Sequence, residues 1–390
     1  MKSNNIVTLI CAACTAPCLG GRFLQGAARN GLAVLILLAS VGTAHADQLV
    51  DDLQTVWEAL WDQRGMPRPI SRWKSDASPI HYRIAGVDAA SHQQTIVRAL
   101  EATAASTGLK FTDVSNAPEP DTQSQLDFDV VEEITSDPAF GCFVKPVRFD
   151  GWHYAKMSVV LKSSELWRCV HHEMMHAMGI PGHPSGNTVL SYFSYRQDQL
   201  APLDHVMLQA WYAPEMMAGA SPFKALPVLA QYVAKHAAAG RDAAETDARV
   251  KQFLAATAAS MENFANGLGG VPSIVRRSGF ASENHIAEAR KQIMTMLGVA
   301  YTLGDTVPQN GVQAMQWFTR AADAGHDTAQ YALGISYFKG TGFAQDKAKG
   351  YRWLTKAAAG QNSYFKDQLA DIEKSLPAAE LEQLRQGLKE

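Results

Sequence analysis

The sequence predicts an α+β domain followed by an all-α domain of helical hairpins. Residues 47–218 alternate between helical and strand-like periodicity, and landmark residues recur 36 positions apart in the C-terminal part. At 390 residues the chain is too long for one ordinary domain. Its 47 % hydrophobic and 19 % charged content favours packed cores over disorder. The formal charge of -3 argues against an electrostatic nucleic-acid binder.

Residues 1–46 resemble a secretory signal peptide. They contain three cations and no acid, followed by the apolar run 32–41 and the small-x-small site 44–46. Cleavage would remove the three cations and lower the formal charge from -3 to -6. We therefore predict a periplasmic or secreted protein without a membrane span in the mature chain. The open alternatives are an uncleaved anchor and a start site placed too far upstream.

Cysteine usage agrees with export. Three cysteines lie in the predicted leader, and only Cys142 and Cys169 follow it. An even pair in an exported chain favours a disulfide, which at this loop length stabilises a fold by about 3–4 kcal/mol. Two buried free thiols are the alternative.

Hydrophobic periodicity defines the elements of residues 47–218. Leu49, Leu53, Val56 and Trp57 follow helical spacing, whereas the segment from residue 79 alternates like a strand. In chain order the pattern predicts a helix over 49–64, a strand over 79–85, a helix over 89–106, strands over 109–114, 126–131 and 153–161, and a helix over 164–179.

The C-terminal part contains an internal repeat. Residues 219–284 form an alanine-rich, helix-favouring linker region, and residues 285–390 form the repeat domain. Trp317 and Trp353 are 36 positions apart, as are many glycine, alanine and tyrosine landmarks. These units resemble SEL-one-like tetratricopeptide-type repeats. The resemblance implies a protein partner bound on the helical repeats.

The predicted helix over 164–179 carries the chemically informative motif. His172, Glu173 and His176 form an H-E-x-x-H pattern, in which residues four apart share one helix face and can bind one zinc ion. Zinc lowers the pKa of a bound water, and Glu173 is placed to take the proton of that water. His172 and His176 as ordinary core histidines are the alternative.

The motif resembles that of the metzincin zinc endopeptidases, H-E-x-x-H-x-x-G-x-x-H. Gly179 matches it, and His183 follows one residue late, with Gly182 in the expected position. We expect His183 to be the third zinc ligand, with Gly182 forming a bulge through positive φ. A loop histidine without metal is the alternative for His183.

A second similarity to metzincins lies downstream, where these enzymes have a methionine turn under the metal. Residues 188–192 read Thr-Val-Leu-Ser-Tyr, so Leu190 replaces the methionine. Tyr192 is either an oxyanion-stabilising group or a packing residue. Asp204, in the next predicted helix, is expected to be structural.

These observations predict an exported zinc metallopeptidase acting on a protein or peptide substrate, with Glu173 as the catalytic base. The alternative is a non-catalytic exported scaffold whose degenerate peptidase domain holds structural zinc or none. A zinc hydrolase with a non-peptide substrate also fits the motif.

Overall fold

The computed structural model describes residues 48–75, 79–117, 124–134, 141–191, 198–237, 242–276, 282–342, 344–360 and 362–388. The predicted leader and Tyr192 lie outside the described residues.

In the described residues of the N-terminal part, a five-stranded mixed sheet packs with four helices. The strands are β1 (Ile80–Gly86), β2 (Phe111–Asp113), β3 (Leu126–Val131), β4 (Cys142–Asp150) and β5 (His153–Lys162). The helices are α1 (Gln48–Ala59), α2 (Ala89–Thr107), α3 (Leu166–Ala177) and α4 (Pro202–Trp211). The strand order is β2-β1-β3-β5-β4, in which only the β4–β5 pair is antiparallel. The predicted mixture of helix and sheet is confirmed for this part of the chain.

One face of the sheet forms part of the core. Residues on β1, β3 and β5 alternate between buried and half-buried, as expected when helices cover one face of a sheet. The buried residues include Ile80, Phe128 and Val159, and helices α2 and α3 contact these strands. The opposite face is polar and carries pairs such as Lys156–Asp127, at 2.9 Å. The sheet thus presents its apolar face to the helix that carries the H-E-x-x-H motif.

Two elements of the structure differ from the sequence prediction. Helix α1 ends at Ala59 instead of residue 64, because the Asp62 carboxylate accepts hydrogen bonds from the backbone of Arg64 and Met66. These bonds replace helical ones with a local turn. Strand β4 was not predicted: it lies at the sheet edge, contains Pro146, and has exposed residues over most of its length.

The remaining helices continue from the N-terminal core. They are α5 (Pro222–Ala237), α6 (Ala243–Ala265), α7 (Ser273–Arg276), α8 (Glu283–Leu303), α9 (Gly311–Asp323), α10 (Asp327–Lys339), α11 (Lys347–Ala358), α12 (Ser363–Ser375) and α13 (Ala378–Gln386). Among the described residues, no helix is both long and apolar enough to cross a membrane.

The 36-residue repeat is visible as repeated contacts in the hairpins α8–α9 and α10–α11. Gly298 lies against Phe318, and Gly334 lies against Leu354 at the equivalent positions of the second unit. A Cβ added at either glycine would come within 2.7 Å of the neighbouring side chain. Both units thus use a helical glycine to bring their paired helices close together.

The loop between α8 and α9 joins the repeats to the rest of the chain. The Thr306 hydroxyl donates to the Phe223 carbonyl of α5 at 2.5 Å, and Val307 is buried. Gln292 of α8 donates to the Pro67 carbonyl at 2.8 Å. One continuous core of buried residues runs from Leu49 to Leu333. The first repeat is therefore packed against α5 and the segment that follows α1.

Candidate functional site

Helix α3 places two of the predicted ligands on one face. The ring centroids of His172 and His176 lie 4.8 Å apart, and their Nε2 atoms are 3.2 Å apart. The chain turns at Gly179, whose φ is 109° and whose added Cβ would lie 1.9 Å from the Ser71 carbonyl oxygen. Glycine is required at position 179, because any other residue would be strained by the positive φ and its Cβ would collide with the Ser71 carbonyl.

The third histidine completes the site. His183 Nε2 lies 3.1 Å from His172 Nε2 and 3.0 Å from His176 Nε2. A tetrahedral zinc ion with bonds of about 2.0–2.1 Å separates its nitrogen ligands by about 3.3–3.4 Å. The triangle of three Nε2 atoms therefore fits a zinc ion after small adjustments. Within the described part of the chain, these histidines are the one group whose ligand atoms converge in this way.

The expected bulge at Gly182 is wrong. Gly182 does not adopt positive φ. An added Cβ would instead lie 2.5 Å from the Glu58 carbonyl oxygen and 2.7 Å from that of Trp61. Glycine is required here because the loop approaches the end of α1 closely, and that approach accommodates the extra residue before His183.

Backbone carbonyls orient the two helical ligands. His172 Nδ1 donates to the Val189 carbonyl at 2.8 Å, and His176 Nδ1 donates to the Ile180 carbonyl at 2.7 Å. A ring nitrogen that donates in this way leaves Nε2 as the unprotonated ligand atom. Both rings are thus held in the tautomer that metal binding needs.

Asp204 holds the turn that supplies one of these carbonyls. Its buried carboxylate accepts hydrogen bonds from the Thr188 hydroxyl, from Val189 N at 3.0 Å and from Ala201 N at 2.8 Å. Burial raises the pKa of Asp204, and these hydrogen bonds act in the opposite direction. Leu190, at the position of the expected methionine, is fully buried in the same turn.

Burial dominates the electrostatics of the site. It lowers the pKa of His183 to about 3 and the pKa of His176 well below its ordinary value, and the neighbouring histidines add to both effects. Glu173 is 5 % exposed, and burial raises its pKa to about 8. The arrangement can bind a cation through neutral imidazoles and places a carboxyl group that exchanges protons near neutral pH on the same helix.

The predicted disulfide is present. Cys142 and Cys169 are bonded, with their Cα atoms 6.3 Å apart. The bridge joins the first residue of β4 to α3, about one helical turn before His172.

One residue of the site was missed by sequence reasoning. Glu58 of α1 is 4 % exposed, and it accepts hydrogen bonds from the backbone and hydroxyl of Ser185 at 2.8 and 3.0 Å. Its sequence signal is weak, namely an acidic residue among the apolar positions of an amphipathic helix.

Comparison with known proteins identifies the repeats. The sequence model of the Sel1 repeat family matches residues 294–326 and 327–362. A solved Sel1 repeat protein from Oxalobacter formigenes is 30 % identical, with a TM-score of 0.21 over 32 % of this chain and 91 % of that chain. A protective antigen of uropathogenic Escherichia coli strains with an SLR fold is 17 % identical, with a TM-score of 0.24 over 57 % of this chain and 52 % of that chain. No curated protein matches the chain significantly.

The family match confirms the prediction of SEL-one-like repeats within residues 294–362. Repeats of this family generally mediate protein–protein interactions. The match does not extend to the histidine site, so the resemblance of residues 172–192 to metzincins remains a sequence-based interpretation.

Proposed function

Because this chain combines Sel1 repeats with three convergent histidines, we propose that it is a zinc-dependent peptidase whose repeats recruit a protein partner or substrate. The observation that carries the proposal is the triangle of Nε2 atoms, with sides of 3.0–3.2 Å. His172, His176 and His183 would hold the ion. When bound, zinc supplies a Lewis acid that polarises a carbonyl group and acidifies water.

Glu173 performs the proton transfers in this proposal. Glu173 is buried on the helix that carries His172 and His176, and in its ionised form its carboxylate would take the proton of the attacking water. The protonated acid then passes that proton to the leaving amine. The proposal makes Glu173→Gln a variant that keeps the metal ligands and loses the base.

The test measures zinc and cleavage in the same preparations. We expect one zinc per wild-type chain, and peptide cleavage that Glu173→Gln abolishes without releasing zinc. His183→Ala should bind zinc about 10-fold more weakly or worse, since loss of a ligand should matter at least as much as loss of a group that orients one. His205→Ala is the matched control, because His205 bonds to the Ser106 hydroxyl at 2.7 Å and lies outside the triangle.

A non-catalytic scaffold is the second candidate, and the family match favours it, since that match covers the repeats alone. A scaffold would hold structural zinc or none and would bind its partner through residues 294–362. Mass spectrometry of a peptide library distinguishes the two functions. Cleavage products that are absent with Glu173→Gln support the peptidase, and identical product spectra from both proteins support the scaffold. Hydrolysis confined to non-peptide esters or amides would instead indicate another zinc hydrolase.

We also propose that the protein is periplasmic or secreted. The signal-like composition of residues 1–46 and the Cys142–Cys169 bond support an oxidising compartment. Fractionation of cells with antibody detection tests this, and recovery of the protein with cytosolic markers would contradict it.

A further inference from the structure

The last turn of α1 holds the loop that carries His183 from both sides. Gly182 N, directly before the histidine, donates to the Ala59 carbonyl at 3.1 Å. Two residues after the histidine, Ser185 donates from its backbone and its hydroxyl to the Glu58 carboxylate. Consecutive residues of α1 thus fix the chain on either side of the third ligand.

Glu58 places a carboxylate at a buried position of α1. Its side chain is buried, and a buried carboxylate is unfavourable without hydrogen bonds to compensate its lost hydration. Three donors supply that compensation: the two groups of Ser185, and the Gln54 amide at 3.0 Å. An apolar side chain would otherwise suit a position next to Trp57 and Ala59, which are buried as well.

The loop over 182–186 also packs closely against α1. An added Cβ at Gly186 would lie 2.0 Å from the Thr55 hydroxyl, so the loop has no room for a side chain there. A side chain at Gly182 would likewise collide with the backbone of Glu58 and Ala59. Both ends of the segment 182–186 therefore press against one surface of α1.

His183 needs such an anchor more than the other two histidines do. His172 and His176 share α3, so helical geometry sets their separation. His183 reaches the triangle from a segment outside any helix or strand, and metal–ligand distances stay within about 0.2 Å of their usual values. We propose that Glu58 is a positioning residue that, through Ser185, sets the place of His183 in the metal site. This inference rests on the proposed zinc site.

The test titrates the metal-free protein with Zn²⁺ and with Co²⁺, whose visible absorption reports coordination geometry. Glu58→Leu should bind both ions about 10-fold more weakly or worse, and its Co²⁺ spectrum should shift toward that of His183→Ala. Glu58→Gln should stay within about 3-fold of wild type, because its amide oxygen still accepts from Ser185. Rescue by glutamine, together with the spectral shift, is a result that loss of packing alone would not produce.

Thr103→Val is the matched control for lost stability. Thr103 is a buried polar residue of α2 that donates to the Ala99 carbonyl of its own helix at 2.8 Å. Thr103→Val should lower the melting temperature without changing the Co²⁺ spectrum. If Thr103→Val weakens metal binding as much as Glu58→Leu does, or if Glu58→Leu keeps the wild-type affinity and spectrum, the positioning role is wrong.

A wild-type protein that binds neither ion overturns the zinc site itself, and with it this inference. A wild-type protein that binds both ions while Glu58→Leu is unaffected overturns the positioning role alone. If Glu58→Leu does not fold, Ser185→Ala removes one of the two bonds to Glu58 and should weaken binding about 5-fold, which is more than Glu58→Gln does. An unchanged affinity and spectrum in that variant would again refute the role of Glu58.

Discussion

Replacement of Gly182 by alanine provides a direct test of how the extra residue before His183 is accommodated. The added Cβ would lie 2.5–2.7 Å from backbone atoms of Glu58, Ala59 and Trp61, at and just beyond the end of α1, and backbone cannot rotate away as a side chain can. Reaching an ordinary contact of about 3.4 Å requires the loop to move by about 0.7–0.9 Å. We expect this overpacking to destabilise the metal-free protein by about 1–3 kcal/mol.

The same displacement carries His183 away from the other two histidines, so zinc affinity should fall about 10-fold or more. Urea denaturation of metal-free protein gives the first quantity, and calorimetric titration with zinc gives the second. Gly311→Ala is the matched control, because Gly311 also lacks positive φ and has no atom within 4 Å of an added Cβ. It should change stability by less than about 1 kcal/mol and leave zinc affinity unchanged. Wild-type stability and zinc affinity in Gly182→Ala would refute the close approach to α1.

Replacing both Cys142 and Cys169 by serine should lower the free energy of unfolding by about 3–4 kcal/mol, and thiol labelling of unreduced, denatured wild type should find neither cysteine free. Burial lowers the pKa of His326, so its contribution to stability is present above an ordinary histidine pKa of about 6.5 and is lost as pH falls below it. His326→Asn, which copies Asn362 of the second repeat, should therefore lose less stability than wild type between about pH 7 and pH 5 in urea denaturation. Equal losses would contradict this. Asp204→Asn replaces one acceptor oxygen of the turn below the histidines with a donor, and zinc titration should show affinity reduced about 10-fold. Unchanged affinity would mean that the turn does not depend on the carboxylate.

Local patterns made part of this molecule predictable. His172 and His176 lie four apart on a helix with regular apolar spacing, so their shared face follows from helical geometry alone. The repeats were predictable for a similar reason, since Gly298 and Gly334 mark the same helix-to-helix contact at a fixed interval. Each of these signals is contained within a few turns of chain.

Contacts between distant segments were not predictable. Glu58 and Ser185 are 127 positions apart, and neither residue carries a local pattern that indicates the other. Strand β4 has irregular pairing between Pro146 and Phe149, and it exposes Val147 and Phe149 by 53 % and 49 %. An edge strand with these features lacks the alternation that identifies a half-buried strand. The role of Gly182 depended on where α1 ends, which the Asp62 turn determines.

The loop after α8, residues 304–310, is where the first repeat contacts the N-terminal part of the molecule. Thr306 donates to the Phe223 carbonyl of α5 and Val307 belongs to the main core, so the first repeat packs directly on the N-terminal part. The 21 residues of α8 alone extend about 30 Å. A partner bound on the repeats would therefore lie at a distance from the histidines that this packing sets. Its local concentration near the histidines would then depend on the partner's own shape and on this packing of the first repeat.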